Sequence, residues 1–399
     1  MIPVVHLNPA HMLGLAAAAI AAGSWLKRRI PLLDRWDIPI PVAGGMVFAV
    51  VALALRDRVV NFETDTLLRD LLTIAFMTTI GLGARLRLLL DGGKQVLWLL
   101  ALSTAAALAQ NVLGILLARL FGLDPRLGIL AGSVALAGGP ATAAAFGGTF
   151  ETRGVPAAAA VAMASAIFGI AVAGIIAGRI GGGLIRRAKL RPATPANSAA
   201  PSNPARPQRL AFDPSALLTT VLVIAAAIGL GQVLSQQFEH RGIVLPAYIG
   251  AMIVAALIRN LNDHIHWIEI SQPAVEAAGR VALYLFITMA LVSLRLWELR
   301  HLALPLIVIL AAQVVMCWAM CVAVPFRLPF RRDYENAVTS AGFCGYMLGI
   351  TANAIASMEE LIEKYGPAPE SFLAVPIVGA FLIDFSNSAI ITLLANWLR

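Results

Sequence analysis

Long apolar stretches alternate with short polar ones along most of the chain. The apolar runs include His11–Leu26, Ile38–Leu55, Val96–Leu120, Val155–Ile180, Leu217–Leu234, Val275–Leu294, Leu302–Phe326 and Phe372–Leu398. A helix needs roughly 20 apolar residues to cross the hydrocarbon core, and shorter ones span when flanking residues reach the interface. Such runs must be helical, because lipid offers no partner to open backbone groups. A β-barrel would instead show ten-residue strands of alternating polarity, and the chain shows none. The pattern predicts an all-α polytopic membrane protein.

Composition agrees with that pattern. Of 399 residues, 59% are hydrophobic and 13% charged, where a soluble domain carries about a quarter charged. The formal charge of +8 raises nucleic acid as a partner, but the basic residues fall mostly in loops between runs, where topology explains them. The expected partner is therefore the lipid bilayer and not nucleic acid. Cys317, Cys321 and Cys344 lie in apolar or glycine-rich stretches without the spacing of a disulfide framework. Lys27-Arg28-Arg29 follows the first apolar run instead of preceding it, which reads as a retained span and not a cleaved signal.

One stretch breaks the pattern near the midpoint. Residues 186–213 are rich in Pro, Ala, Ser and Asn with few large apolar side chains, which predicts a linker between repeats at 1–185 and 214–399. The two sides resemble one another. Ile38-Pro-Ile-Pro-Val-Ala-Gly-Gly-Met matches Ile243-Val-Leu-Pro-Ala-Tyr-Ile-Gly-Ala-Met, Phe76-Met-Thr-Thr matches Phe286-Ile-Thr-Met, and Gln110 and Gln313 sit alike in long spans before glycine-rich segments. Matches in the same order point to a duplication. With about five spans and one re-entrant segment per half and the N-terminus outside, twenty of the thirty Lys and Arg residues fall in the cytoplasm. The positive-inside rule thus favours external (periplasmic) termini, a cytoplasmic linker and insertion in the inner (plasma) membrane. An odd number of spans per half makes the repeats inverted, the build of a secondary transporter.

Inverted-repeat transporters bind substrate near the midplane, where helices break and free their backbone groups. Each half has one such break, at Gly132-Ser-Val-Ala-Leu-Ala-Gly-Gly-Pro-Ala-Thr-Ala and at Ser340-Ala-Gly-Phe-Cys-Gly-Tyr-Met-Leu-Gly-Ile-Thr. Gly138 and Gly139 relax the backbone and Pro140 blocks helix continuation. A half-helix N-terminus there offers N–H groups and positive dipole to a carboxylate, with Thr142 and Thr351 adding hydroxyls. Candidate substrate-binding residues are therefore Gly138, Gly139, Thr142, Gly342, Gly345 and Thr351. The competing reading is that small residues only let helices pack closely.

The last span carries an acid in an apolar run. Asp384, Asn387 and Ser388 are spaced i, i+3, i+4 and share one helix face. A carboxylate in hydrocarbon costs several kcal/mol unless partnered and marks an ion path. Oxygen ligands of this kind suit Na⁺, so Asp384, Asn387 and Ser388 are candidate ligands, with Ser165 in the matching span of the first half. Structurally, Asp384 would instead bond a hydroxyl or an Arg across helices. The six histidines fall in loops or at span ends; His264 and His266 with Asp263 and Glu269 are a weaker metal candidate. No His-Glu-x-x-His, Gly-x-Ser-x-Gly or P-loop pattern occurs, so the chain is not expected to be an enzyme or to use an organic cofactor.

On these residues the chain resembles the bacterial sodium/glutamate symporter family. The likeness runs from Ile38-Pro-Ile-Pro-Val-Ala-Gly-Gly through Gly122-Leu-Asp-Pro, Leu296-Trp-Glu-Leu-Arg-His-Leu-Ala-Leu-Pro and Ala341-Gly-Phe-Cys-Gly-Tyr to Val375-Pro-Ile-Val-Gly-Ala-Phe-Leu-Ile-Asp. The resemblance implies ten spans, two re-entrant loops, external termini, Na⁺-coupled uptake of glutamate, a homodimer and elevator-like movement. Departures fall in the loops. The family pattern has histidine in both, where this chain has Gly138-Gly139-Pro140-Ala141-Thr142 and Gly342-Phe343-Cys344-Gly345. Asp384 and Asn387 stand as the family has them. The expected substrate is thus a small anionic amino acid or carboxylate. The alternatives are Na⁺- or H⁺-coupled transport of a different one, or a channel-like or non-transporting membrane protein.

Overall fold

The computed structural model describes residues 2–35, 38–85, 93–192, 214–241, 247–327 and 333–398. Among them are sixteen α-helices and one two-stranded sheet. Of the expected linker, residues 193–213 lie outside the described residues. Its first three residues are helical, because the preceding helix runs to Ala188 before Lys189 turns left-handed at φ 51°.

The first half contains α1 (Pro9–Arg29), α2 (Pro31–Arg35), α3 (Ile40–Leu55), α4 (Leu67–Gly83), α5 (Gly93–Leu120), α6 (Pro125–Ile129), α7 (Gly139–Thr152) and α8 (Ala158–Ala188). The second contains α9 (Pro214–His240), α10 (Ala247–Ile265), α11 (Gln272–Val292), α12 (Ala303–Arg327), α13 (Tyr334–Leu348), α14 (Thr351–Tyr365), α15 (Pro369–Ile377) and α16 (Ile383–Trp397). Past the extra short α2, the order recurs: three helices, a long one, a broken pair, and a closing span. Among the described residues, seven helices are long and apolar enough to cross a membrane, α15 and α16 counting as one. The sequence runs omit α4 and α10, whose charged ends (Arg69 and Asp70; Arg259 and Asp263) lower their hydropathy.

Local chemistry sets the helix ends. Asn8 caps α1 by accepting the His11 N–H at 2.9 Å. Lys27, Arg28 and Arg29 close the same helix, where the dipole is negative. At the C-terminal end of α10, Asp263 binds Arg85 at 2.9 Å and Arg259 at 3.2 Å. Two guanidiniums thus occupy that carboxylate, which weighs against the metal reading for His264 and His266. The sheet, which the sequence pattern does not predict, pairs β1 (Val4–Leu7) in parallel with β2 (Asn61–Thr64) at the helix ends.

Close approaches are made by glycine. A β-carbon at Gly44 would collide with the Ala19 carbonyl of α1, and one at Gly250 with the Gly231 carbonyl of α9. The largest apolar cluster joins α5 to α8 with α12 to α16 and takes in faces of α4 and α10, while smaller clusters join α3, α8 and α11, then α1 and α11, and then α4, α9, α10 and α11. Two matched positions meet across the halves. Phe76 and Phe286 lie with ring centroids 5.5 Å apart, and the Gln313 amide donates to the Gln110 carbonyl at 2.7 Å.

These crossings make a direct prediction. Gly44→Leu should lower unfolding stability in detergent by about 1–3 kcal/mol. Gly229→Leu, on α9 with nothing within 4 Å of its added β-carbon, should stay within about 0.5 kcal/mol. Fluorescence-monitored thermal unfolding compares the two; equal loss would remove the packing argument.

Candidate functional site

Both glycine-rich segments are broken helices. In the first, α6 runs into a π-helical turn, Leu130–Val134, in which Gly132 leaves the helical region at φ −101°, ψ −129°. The chain resumes as α7 after Gly139, whose φ of +64° suits glycine, with Pro140 in the first turn, where no N–H is missed. In the second, α13 ends at Leu348, Gly349 turns away at φ −136°, ψ −120°, and α14 begins at Thr351. The breaks meet: a β-carbon at Gly139 would come 3.0 Å from Ile350 Cγ2 and 3.7 Å from the Gly349 carbonyl oxygen.

Breaking a helix frees backbone groups, and carboxamides from neighbouring helices take them up. Asn111 on α5 accepts the Ser133 N–H at 3.1 Å, and Asn387 on α16 donates to the Ser133 carbonyl at 2.9 Å. Gln110 donates to the Met347 carbonyl at 2.8 Å. Asn353 accepts the Ile350 N–H at 3.1 Å from within the first turn of α14. Asn111, Ser133, Gln110, Asn387 and Asn353 are all buried.

Asn353 also donates to the Ile170 carbonyl at 3.5 Å, whereas Asn111, Asn387 and Gln110 each commit one end. Ser133 Oγ, Asn387 Oδ1, Ser388 Oγ and Gln110 Oε1 are buried without a hydrogen-bond partner, as is Asn111 Nδ2. A buried group left unpaired costs about 1–3 kcal/mol, so this concentration of unpaired polar atoms around the breaks calls for a ligand or water. Asp384 lies one turn before Asn387, half-buried, with no hydrogen bond or ion pair among the described residues. It directly follows a second π-helical turn, Val378–Leu382, after Pro376 interrupts the bonding of α15. That turn frees the Gly379 carbonyl, which accepts the Thr351 hydroxyl at 2.7 Å.

The sequence candidates therefore separate by role. Asp384, Asn387 and Ser388 share a face beside the first break. Ser165 on α8 is buried and donates to Val161 O at 2.7 Å, outside that hydrogen-bonded group. Thr142 is buried in the first turn of α7, and a β-carbon at Gly138 would fall 2.6 Å from its hydroxyl oxygen. Gly342 and Gly345 hold the α13–α14 hairpin together: side chains there would meet Met358 and the Ala354 backbone. Thr351 fastens the second break to the last span. Asn111 and Ser133, which sequence reading did not single out, are the first break's own partners.

Toward the end of the bundle that carries the sheet, a cavity of about 540 Å³ lies over α7, lined among others by Arg69, Thr149, Glu151, Arg153, Tyr248 and Arg295. Tyr248 reaches the Thr149 hydroxyl at 3.2 Å. Burial pushes the Glu151 carboxyl above the usual carboxylate range, against the N–H that Ala159 donates to it. Its lining mixes Arg69, Arg153 and Arg295 with Asp70 and Glu151, and Arg69 is paired with Asp70 at 2.9 Å and Arg295 with Glu298 at 3.5 Å.

Two broken helices meeting inside an apolar bundle, with an unpaired acid alongside, define a membrane transporter and not an enzyme. The chain belongs to the sodium/glutamate symporter family, whose sequence model, described as "Sodium/glutamate symporter", matches residues 5–367. It is similar to the sodium/glutamate symporter of Escherichia coli K12, with 36% identity over 393 residues and 97% of each chain covered. The Haemophilus influenzae sodium/glutamate symporter is 34% identical over 95% of each chain. The protein is accordingly a multi-pass inner-membrane protein.

The carboxamide bonds are testable without transport. Asn111→Ala removes the acceptor of the Ser133 N–H and should destabilise the first break by about 1–3 kcal/mol. Hydrogen exchange should then quicken across residues 130–138 and stay unchanged across 340–348. Uniform quickening of both breaks would show that Asn111 acts through the whole bundle.

Proposed function

We propose that the protein is a secondary transporter that couples Na⁺ entry to uptake of L-glutamate. One observation carries this reading: the unpaired carboxylate of Asp384 sits on the face of Asn387 and Ser388, at the break where Ser133 Oγ and Asn387 Oδ1 also lack partners. Oxygen-only ligands with one negative charge suit a hard monovalent cation, and Na⁺ bound there neutralises the acid. Ser165 stays outside this set. The relatives' name supplies the ion and the amino acid, and the chemistry of these oxygens fits the ion.

The substrate is assigned to the meeting point of the breaks. First-turn N–H groups of α7 and α14 present positive dipole to a carboxylate, Gly138 and Gly139 let it approach, and Thr142 offers a hydroxyl. Gly342 and Gly345 contribute by closing the hairpin behind, and Thr351 by tying it to the π turn before Asp384. The polar cavity over α7, lined by Arg69, Asp70, Glu151 and Arg153 among others, is the entry path we assign. Because Asn387 binds the break itself, cation occupancy and break geometry share one residue, which is a physical basis for coupling.

The architecture we infer is two inverted repeats, residues 1–185 and 214–399, with external termini and a cytoplasmic linker at 186–213. Contacts between matched positions support it, since Phe76–Phe286 and Gln110–Gln313 are where residues would fall on a pseudo-two-fold axis. Elevator-like movement rests on the family resemblance, and the largest core cluster gathers α5 to α8 and α12 to α16, which we assign as the moving body. The homodimer rests on the family resemblance. A second reading, a different small carboxylate, is favoured by Pro140 opening α7 and by Phe343, fully buried against Tyr346 at 5.7 Å between ring centroids, where the family pattern has histidines.

Proteoliposomes with an inward Na⁺ gradient should accumulate labelled glutamate, and a proton gradient alone should not drive it. Asp384→Asn and Asn387→Ala should each raise the Na⁺ concentration for half-maximal uptake by about tenfold, roughly 1.4 kcal/mol, with a smaller change in glutamate KM at saturating Na⁺. Uptake indifferent to Na⁺ would overturn the coupling; Na⁺-driven uptake of a different acid would move the substrate to the second reading.

A further inference from the structure

We propose that Cys317, Cys321 and Cys344 form a site for one thiophilic divalent metal ion, which on binding clamps the second re-entrant hairpin to α12. The three sulfur atoms lie within 4.8 Å of one another and all three side chains are buried. Cys317 and Cys321 occupy one face of α12 at i, i+4 with their sulfurs 4.0 Å apart, and Cys344 meets them from α13. A metal–sulfur bond of ~2.3 Å places three sulfurs arranged in a plane around an ion about 4.0 Å apart. The triad therefore has the spacing of a three-coordinate sulfur site with little rearrangement.

Charge selects the ion. The fully buried side chains include one formal charge among the described residues, Arg259, which is paired with Asp263 on α10. No buried cation thus offsets three thiolates. A divalent ion held by two thiolates and one thiol is neutral, and its binding releases two protons to solvent, so affinity rises with pH. Sulfur ligands select soft ions and reject Na⁺, Mg²⁺ and Ca²⁺, which separates this triad from the oxygen ligands around Asp384. Buried cysteines also serve as small apolar fillers, but that role does not require three sulfurs from two helices to converge.

The location gives the site a consequence. Cys344 precedes Gly345, which packs on Ala354 of α14, and three residues further Gln110 holds the Met347 carbonyl at the break. An ion joining Cys344 to α12 would stiffen the hairpin whose tip meets Gly139. Metal binding would then act as a brake on any movement of that tip.

The test uses Cd²⁺ with the reduced, full-length protein in detergent. Thiolate-to-metal charge-transfer absorption should grow to one equivalent per chain and not appear with Mg²⁺. C317S, C321S and C344S should each weaken Cd²⁺ binding by at least about tenfold. Cd²⁺ should also raise the unfolding temperature of the wild-type protein but not of the C317A/C321A/C344A variant, which keeps the apolar filling if a serine variant does not fold. Absence of the absorption at stoichiometric Cd²⁺, or its persistence in the alanine variant, would overturn the site. In proteoliposomes Cd²⁺ should slow glutamate uptake by the wild-type protein, reversibly with chelator, and spare C344S; full uptake with Cd²⁺ bound would overturn the clamp. Absorption and unfolding do not depend on transport, so the metal site and the Na⁺ coupling fail separately.

Discussion

A helix broken inside a bilayer must find partners for the backbone groups that it frees, and here side-chain amides provide them. Asn111 and Asn387 take the N–H and carbonyl of the same residue, Ser133. Gln110 and Asn353 serve the second break, on either side of Gly349. The Ser133 carbonyl also accepts the Gly138 N–H at 2.9 Å; without the amides, the Ser133 N–H, the Met347 carbonyl and the Ile350 N–H would meet lipid or apolar side chains at a cost of several kcal/mol. A carboxamide has two ends, and at Asn111, Asn387 and Gln110 backbone satisfaction uses only one. The oxygen of Asn387 and the nitrogen of Asn111 are what is left, so the residues that hold the break also furnish polar atoms with lone pairs or protons to spare.

The two breaks are built differently. The first relies on a π turn, a left-handed glycine and Pro140, and its polar partners come from the long span before it and from the last span. The second is a plain hairpin in which glycines bring α13 against α14, and its tip is fastened by Thr351 to the Gly379 carbonyl. That carbonyl is available because α15 passes through a π turn after Pro376. Three interruptions of regular helix thus support one another, and none would be stable alone in a low-dielectric interior.

Hydropathy made most of the spans legible, and the Gly and Pro clusters made both breaks legible, because these signals are local. Asp384, Asn387 and Ser388 could be read as one face from spacing alone. Asn111 and Ser133 could not, since an amide or hydroxyl in an apolar run looks the same whether it meets lipid, water or a neighbour 254 residues away, as Asn387 and Ser133 do. Gly342 and Gly345 carried the same compositional signal as Gly139, yet their role as contact points for Met358 and Ala354 depends on which helix folds back against them. α4 and α10 escaped the apolar pattern because charges at their ends pair with one another or line the cavity, as Arg85–Asp263–Arg259 and Arg69 do. The short strands were missed for a similar reason: four-residue segments are given by what they pair with, 57 positions apart.

Phe76 lies against Phe286, and Gln313 holds Gln110, so positions that match between the halves also touch. Most matched positions meet different surroundings and can change one at a time. At these points each residue is the environment of its own counterpart. A larger ring at one of the phenylalanines crowds the other, and loss of the Gln313 amide strips a bond from the Gln110 backbone carbonyl. A change at one member of such a pair is therefore felt directly by the other, which couples substitution at the two positions.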